Sequence, residues 1–291
     1  MTKAQDSLAT AGSTDLTATQ AAPGHVSSAT PTADPAAGGG GVPALQLRQL
    51  TKTFGEKVAV DHVDLTIPPG SFYGLVGPNG AGKTTTILMT VGLLRPDGGT
   101  AQIFGVDMWK DPIGAKELIG VLPDGMALPD RLSGREVLTY LGLLRGLPRE
   151  TVGQRVDELL KVLELDDQDA TMVVDYSTGM KKKITLATAL LHGPKLLILD
   201  EPFEAVDPIS ALTIRKILQR FVRSGGSVVF SSHVMALVEQ LCDHVAVIAD
   251  GRVVASGSLD EVRDGQSLED AFTHIIGAPE SDTDELTWLG L

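Results

Sequence analysis

The chain has 291 residues, with 24 Lys and Arg against 37 Asp and Glu and a formal charge of −13, a balance that argues against a nucleic-acid binder working through a clustered basic face. Hydrophobic residues at 43% and charged residues at 21% exclude disorder throughout and supply enough apolar surface for a large core. A single cysteine, Cys242, closes no intramolecular disulfide, and Thr84–Leu94, apolar and free of Lys and Arg, falls well short of the roughly 18 residues that cross a bilayer.

Residues 1–43 hold 10 Ala, 7 Thr, 6 Gly, 4 Ser and 4 Pro. Such a stretch buries too little to offset its ordering entropy and reads as a disordered leader. It does not join a basic region to an apolar core as a secretory signal does, so with the lone thiol it points to a reducing, cytosolic setting. Alternation in Leu45–Leu50 and Val58–Ile67 predicts two strands, and after Pro68-Pro69-Gly70 the apolar run Phe72–Val76 predicts a third. A glycine-rich turn follows, then Ile87, Val91 and Leu94 at helical spacing.

From about Gly134 to Leu191 the pattern is mainly helical. Val137, Leu141 and Leu144 share one face, and Val156, Leu159, Leu160 and Leu163 share another. Strands and helices then alternate: strand Leu196–Leu199, helix Ile209–Val222, strand Ser227–Ser231, helix Val234–Leu241, strand Val245–Ile248 and a turn at Asp250-Gly251. That order means a parallel sheet covered on both faces, which makes the helical stretch an insertion. The core over 44–278 holds 23 basic and 30 acidic residues, a net of −7. Residues 279–291, with four acids and no base, read as a solvated tail; docking through Trp288 is the alternative.

Gly77-Pro78-Asn79-Gly80-Ala81-Gly82-Lys83-Thr84, between a strand and a helix, fits the phosphate-binding loop. There backbone N–H groups wrap the phosphates, Lys83 reaches the β and γ oxygens and Thr84 ligates Mg²⁺. The glycine spacing does not fit a dinucleotide fold, which needs G-x-G-x-x-G. Leu196-Leu197-Ile198-Leu199-Asp200 is an apolar strand ending in the acid that serves the metal, and Glu201, next to it, is free to polarise water. Asn79 is the only asparagine, so the Asn-Lys-x-Asp element of guanine-specific enzymes is missing and adenine is the base to expect, with Phe54 either a stacking platform or, as an isolated aromatic, a core side chain.

With these pieces placed, the chain resembles the ATP-binding cassette family over roughly Leu45–Gly277. The resemblance implies an α/β fold of the P-loop NTPase type: a RecA-like parallel sheet core with an antiparallel β subdomain and a helical insertion over about 124–192. The family's Leu-Ser-Gly-Gly-Gln signature is matched by Tyr176-Ser177-Thr178-Gly179-Met180, at the family's distance before Asp200. A serine-capped helix with a solvated Lys181–Lys183 face explains the capping there but not the spacing. Ala205-Val206-Asp207 resembles the loop that crosses the dimer interface, and His233 the switch histidine.

Two departures stand out. Asp124 occupies the lateral-loop place where the family usually has Gln, either facing the metal or only capping the turn Pro123-Asp124-Gly125, and Thr178 and Met180 replace Gly and Gln. Both are similar to a subgroup of drug and antibiotic exporters.

The resemblance assigns Glu201, His233 and Lys83 to catalysis. It assigns Phe54, Gly77, Pro78, Asn79, Gly80, Ala81, Gly82, Lys83, Thr84 and Thr85, with Ser177 and Gly179 of a partner copy, to nucleotide contact. Thr84, Asp200 and Asp124 fall to the metal. It implies ATP and Mg²⁺, a second nucleotide-binding subunit (identical or not), a separate transmembrane permease and no nucleic acid. The chain would then sit on the inner face of the cell membrane through that permease. The rival from another class is a soluble cassette ATPase without a membrane partner. Such proteins usually carry two cassettes or a long coiled coil with basic surfaces, and this chain has one phosphate loop and no sustained heptads. Intact Lys83, Asp200, Glu201 and His233 disfavour a non-hydrolysing regulator.

Overall fold

The computed structural model describes residues 41–125 and 127–277; the expected leader, up to residue 40, and the expected tail at 279–291 lie outside them. Leu45, Leu47 and Leu50 are buried along β1 (Leu45–Phe54), which turns through Gly55 in the left-handed region (φ +59°) to pair antiparallel with β2 (Lys57–Ile67). In β3 (Phe72–Val76) all five residues are buried, as befits a central strand with helices or sheet on both faces. It feeds α1 (Lys83–Thr90). Next come β4 (Gly98–Ile103) and the short β5 (Val106–Asp107), which extend the first sheet in the order β2-β1-β4-β5, antiparallel throughout.

The chain returns through α2 (Pro112–Leu118) to β6 (Ile119–Leu122) and then leaves the sheet for three helices, α3 (Gly134–Leu144), α4 (Arg149–Val162) and α5 (Thr178–Leu190). It re-enters at β7 (Leu196–Leu199). Then follow α6 (Pro208–Arg223), β8 (Ser227–Ser232), α7 (Met235–Leu241), β9 (His244–Ala249), β10 (Arg252–Ser258), α8 (Leu259–Arg263) and α9 (Leu268–Ile276). The second sheet runs β10-β9-β3-β8-β7-β6, parallel except for the edge strand β10.

Alternate residues of its strands serve two cores. Phe72, Val76, Leu197, Leu199, Val228 and Phe230 pack toward the helices, while Tyr73, Leu75, Leu196, Ile198, Val229 and Ile248 pack with the antiparallel sheet and α1. This is the period-two division of a strand between its faces. The carboxyl ends of β3, β6, β7 and β8 therefore share one edge, where ligands gather in open α/β sheets.

One part of the helical pattern is corrected. Leu144 is 68% exposed, and the buried stripe of α3 runs through Val137, Leu138 and Gly142. A side chain at Gly142 would stand 2.9 Å from Val152 Cγ2. The close approach of α4 at that glycine rotates the contact away from Leu144.

Candidate functional site at the strand ends

The loop after β3 is shaped by collisions that only glycine escapes. A Cβ at Gly77 would lie 2.1 Å from the Ile248 carbonyl oxygen, and one at Gly82, where φ is +103°, 2.4 Å from that of Ala59. Gly80 also has positive φ (+81°) but faces open space. Between the two pinned glycines Pro78, Asn79 and Gly80 are exposed, and Gly82 caps α1 with no side-chain acceptor on its first N–H groups. Those N–H groups and the helix dipole favour an anion. Thr86 and Thr90 spend their hydroxyls on the carbonyls of Gly82 and Thr86, whereas Thr84 is exposed and lines the cleft with Thr85.

Lys83 is buried, and its ammonium donates to the carbonyl oxygens of Gly77 at 2.7 Å and Pro78 at 3.2 Å. Burial lowers its pKa, and Glu201 and Asp200 pull it back up.

Asp200 follows β7 and is 1% exposed. Its Oδ1 accepts from Ser231 Oγ at 2.5 Å, while Oδ2 is buried with no hydrogen-bond partner among the described residues. A buried carboxylate oxygen left unpaired is costly unless a cation meets it. Together with the glycine-built anion cradle, whose Lys83 feels the Asp200 charge, this donor set fits a magnesium nucleotide. Ser231 Oγ also accepts from the Glu201 N–H at 2.9 Å, so one hydroxyl holds both acids. Glu201 itself has φ +45°, and its Oε2 lies 3.2 Å from His233 Nδ1.

A cleft of about 450 Å³ brings together Phe54, Asn79, Gly80, Ala81, Gly82, Lys83, Thr84, Thr85, Asp124, Glu201 and His233, with Lys57, Ala59 and Glu204. Gly77 and Pro78 lie behind it as backbone partners of Lys83. Phe54 is half exposed, with the Lys52 ammonium 5.6 Å from its ring centre.

Ser177 and Gly179 are not brought to this cleft. Ser177 is exposed and its hydroxyl caps α5 by accepting from Met180 N at 3.3 Å. Gly179 is buried against the start of α6, where a Cβ would meet Asp207 Oδ2 at 2.4 Å and Ser210 Oγ at 2.6 Å. Asp207 caps α6 through the N–H groups of Ile209 and Ser210, bonds that hold its carboxyl below the usual range.

The lysine run after the signature is not one solvated face. Lys181 is exposed and bonds Val174 O, but Lys182 donates to the Glu201 carbonyl at 3.0 Å, and Lys183 is 5% exposed beside Glu164. Sequence reasoning passed over Ser231, Lys182 and Glu204. Ser231 carried a signal, since it stands in Ser231-Ser232-His233 at a strand end.

Residues 60–204 match the family described as ABC transporter. The chain is 37% identical to the Nod factor export ATP-binding protein I of Cupriavidus metallidurans, over 76% of this chain and 73% of that protein. It is equally identical to the daunorubicin/doxorubicin resistance ATP-binding protein DrrA of Streptomyces peucetius, over 76% and 67%. A solved structure of the ATP binding subunit of an ABC transporter superposes with a TM-score of 0.75 at 28% identity, over 80% of this chain and 99% of the other.

Fold and strand-end site together define an ATP-binding cassette. The chain belongs to the ABC transporter family, as a subunit that binds and hydrolyses ATP. Among the described residues no helix is long and apolar enough to cross a membrane.

Proposed function

We propose that this chain hydrolyses ATP as one of two paired cassettes and powers export through a separate transmembrane permease, from the cytoplasmic face of the membrane. The observation that carries the paired reading is the separation within one chain: the phosphate loop, Glu201 and His233 line one cleft, and the signature residues Ser177 and Gly179 stand outside it. A second cassette, identical or not, supplies Ser177 and Gly179 to complete each site. Export follows from the names of the relatives, which are export and resistance proteins.

In this reading the loop N–H groups and Lys83 hold the phosphates, and Phe54 stacks on the base. Thr84 and Asp200 would hold Mg²⁺, with Asp124 lining the same cleft, and an ion held there would supply neutralisation of phosphate charge. Glu201 orients water and takes its proton, and His233, within reach of Glu201 Oε2, orients that carboxylate and faces the γ-phosphate. The permease selects the exported compound.

Glu201→Gln in the full chain is the test. Steady-state phosphate release should fall about 10²–10⁴-fold with ATP affinity retained, and a nucleotide-bound dimer should accumulate on size exclusion. Wild-type turnover in that variant would remove Glu201 from the role. Purification from native membranes without any integral membrane protein would remove the permease.

A further inference from the structure

We propose that Lys182 is a positioning residue for hydrolysis: its ammonium fixes the backbone of Glu201 and ties that acid to α5, the helix capped by Ser177 and carrying Gly179 in its first turn. The inference rests on the reading of Glu201 as the group that polarises water.

Glu201 stands at φ +45°, a left-handed conformation in which Cβ crowds the carbonyl. A non-glycine residue keeps it only where the surroundings over-determine it. Here the residue is held from both sides. Its N–H donates to Ser231 Oγ at 2.9 Å, and its carbonyl accepts from Lys182 Nζ at 3.0 Å and, within a local turn, from the Glu204 N–H at 3.2 Å. The Glu204 bond is local and moves with the segment, so without the Lys182 bond nothing outside the segment holds this carbonyl, and the turn can relax toward negative φ, which swings the carboxylate relative to Asp200 and the phosphate loop.

The ammonium has other choices. Asp124 and Glu204 line the same cleft of about 280 Å³ as Lys182, and either carboxylate offers more Coulombic attraction than a carbonyl. Among the described residues it nevertheless bonds the Glu201 carbonyl, a charge-assisted contact stronger than a neutral one. Lys182 lies five residues beyond Ser177, about one and a half helical turns. Two residues after Ser177, Gly179 seats against Asp207 and Ser210. The start of α5 thus grips the 201–210 segment at both ends, and a displacement felt at Ser177 reaches the Glu201 backbone through a bonded path. In a paired assembly, this links the nucleotide held against one copy's signature to the hydrolytic acid of that same copy.

The experiment compares Lys182→Met, Lys182→Arg and Glu201→Gln in the full chain. Lys182→Met should lower kcat about 10- to 100-fold, the scale of a misplacement of about an ångström, while KM for ATP and the thermal midpoint stay near wild type. Lys182→Arg, which keeps a cationic donor, should restore most of the loss. If Lys182→Met keeps wild-type kcat while Glu201→Gln is inactive, the inference fails and the reading of Glu201 stands. If Glu201→Gln turns over normally, the underlying reading fails instead. Equal losses in Met and Arg, or a rise in KM at unchanged kcat, would assign Lys182 to packing or nucleotide binding and overturn the proposal.

Discussion

Gly82 and Gly179 both stand at helix starts, and a side chain is forbidden at both, but by different objects. At Gly82 the obstacle is the Ala59 carbonyl oxygen, 2.4 Å from where a Cβ would stand, and the backbone has φ +103°. At Gly179 the obstacles are two side chains, Asp207 and Ser210, and φ is not positive. A carbonyl in a sheet cannot retreat without moving the fold, whereas a carboxylate and a hydroxyl can change rotamer. The phosphate loop is therefore a fixture of the fold. The signature end is held by contacts that can be released, which suits the proposed pairing with a second chain.

The sharpest way to break this comparison is Gly82→Ala. It adds a methyl group against backbone at a strained φ, and stability should fall by about 2–5 kcal/mol with nucleotide binding lost. Thermal unfolding and a nucleotide titration on the same protein check both halves. A variant that melts normally and still binds ATP would mean that the Ala59 carbonyl is not a wall.

Ser231→Ala comes next. It strips the buried Asp200 Oδ1 of its donor and the Glu201 N–H of its acceptor, a loss of about 1–3 kcal/mol, and kcat should fall with the geometry of the two acids. Chemical denaturation and turnover at saturating ATP measure the two effects separately. Unchanged turnover would show that Ser231 holds only the fold.

Gly179→Ala should cost less, about 1–3 kcal/mol, because the Asp207 carboxylate and the Ser210 hydroxyl can turn away and only the Ser210 Cβ, 2.9 Å off, has to give with the start of α6. The contrast with Gly82→Ala lies in which function fails. ATP binding by the single chain should survive, since Gly179 is outside the cleft, while hydrolysis that depends on pairing should drop. Loss of binding to the isolated chain would erase the distinction between the two glycines.

The same difference explains what the sequence made legible. The loop and the Leu196–Asp200 strand end are local: a fixed spacing forced by backbone collisions, and an unbroken apolar run that only a buried strand tolerates. Phe72–Val76 was readable for the same reason. β4 was not, because Gly98-Gly99-Thr100 looks like a turn until β1 pairs with it. β6 has four residues directly after α2, too short for periodicity to separate strand from helix. Ser231 and Lys182 escaped notice because their roles depend on register. Ser231 stands beside Asp200 only because β7 and β8 pair Leu199 with Phe230. Lys182 meets Glu201 across 19 residues of chain, where no local pattern points. Leu144 went astray because the contact with α4 is centred on a glycine, and hydrophobic spacing cannot see that.

Asp124 offers the smallest effect and tests the boundary between the two regions, since it lines both the nucleotide cleft and the smaller cleft under α5. It is exposed, so its charge acts through solvent and is weakened accordingly. In the nucleotide cleft it adds a carboxylate near Glu201 and Glu204, and without a divalent ion these like charges repel one another and the phosphates. Asp124→Gln should therefore bind ATP about 2- to 5-fold more tightly than wild type in chelator, in line with the ~1 kcal/mol ceiling for exposed charges. At saturating Mg²⁺ the two proteins should differ less. Nucleotide affinities measured for both, with chelator and with Mg²⁺, decide the matter. An identical Mg²⁺ dependence would confine Asp124 to the turn Pro123-Asp124-Gly125 and to the cleft under α5, leaving the metal to Thr84 and Asp200.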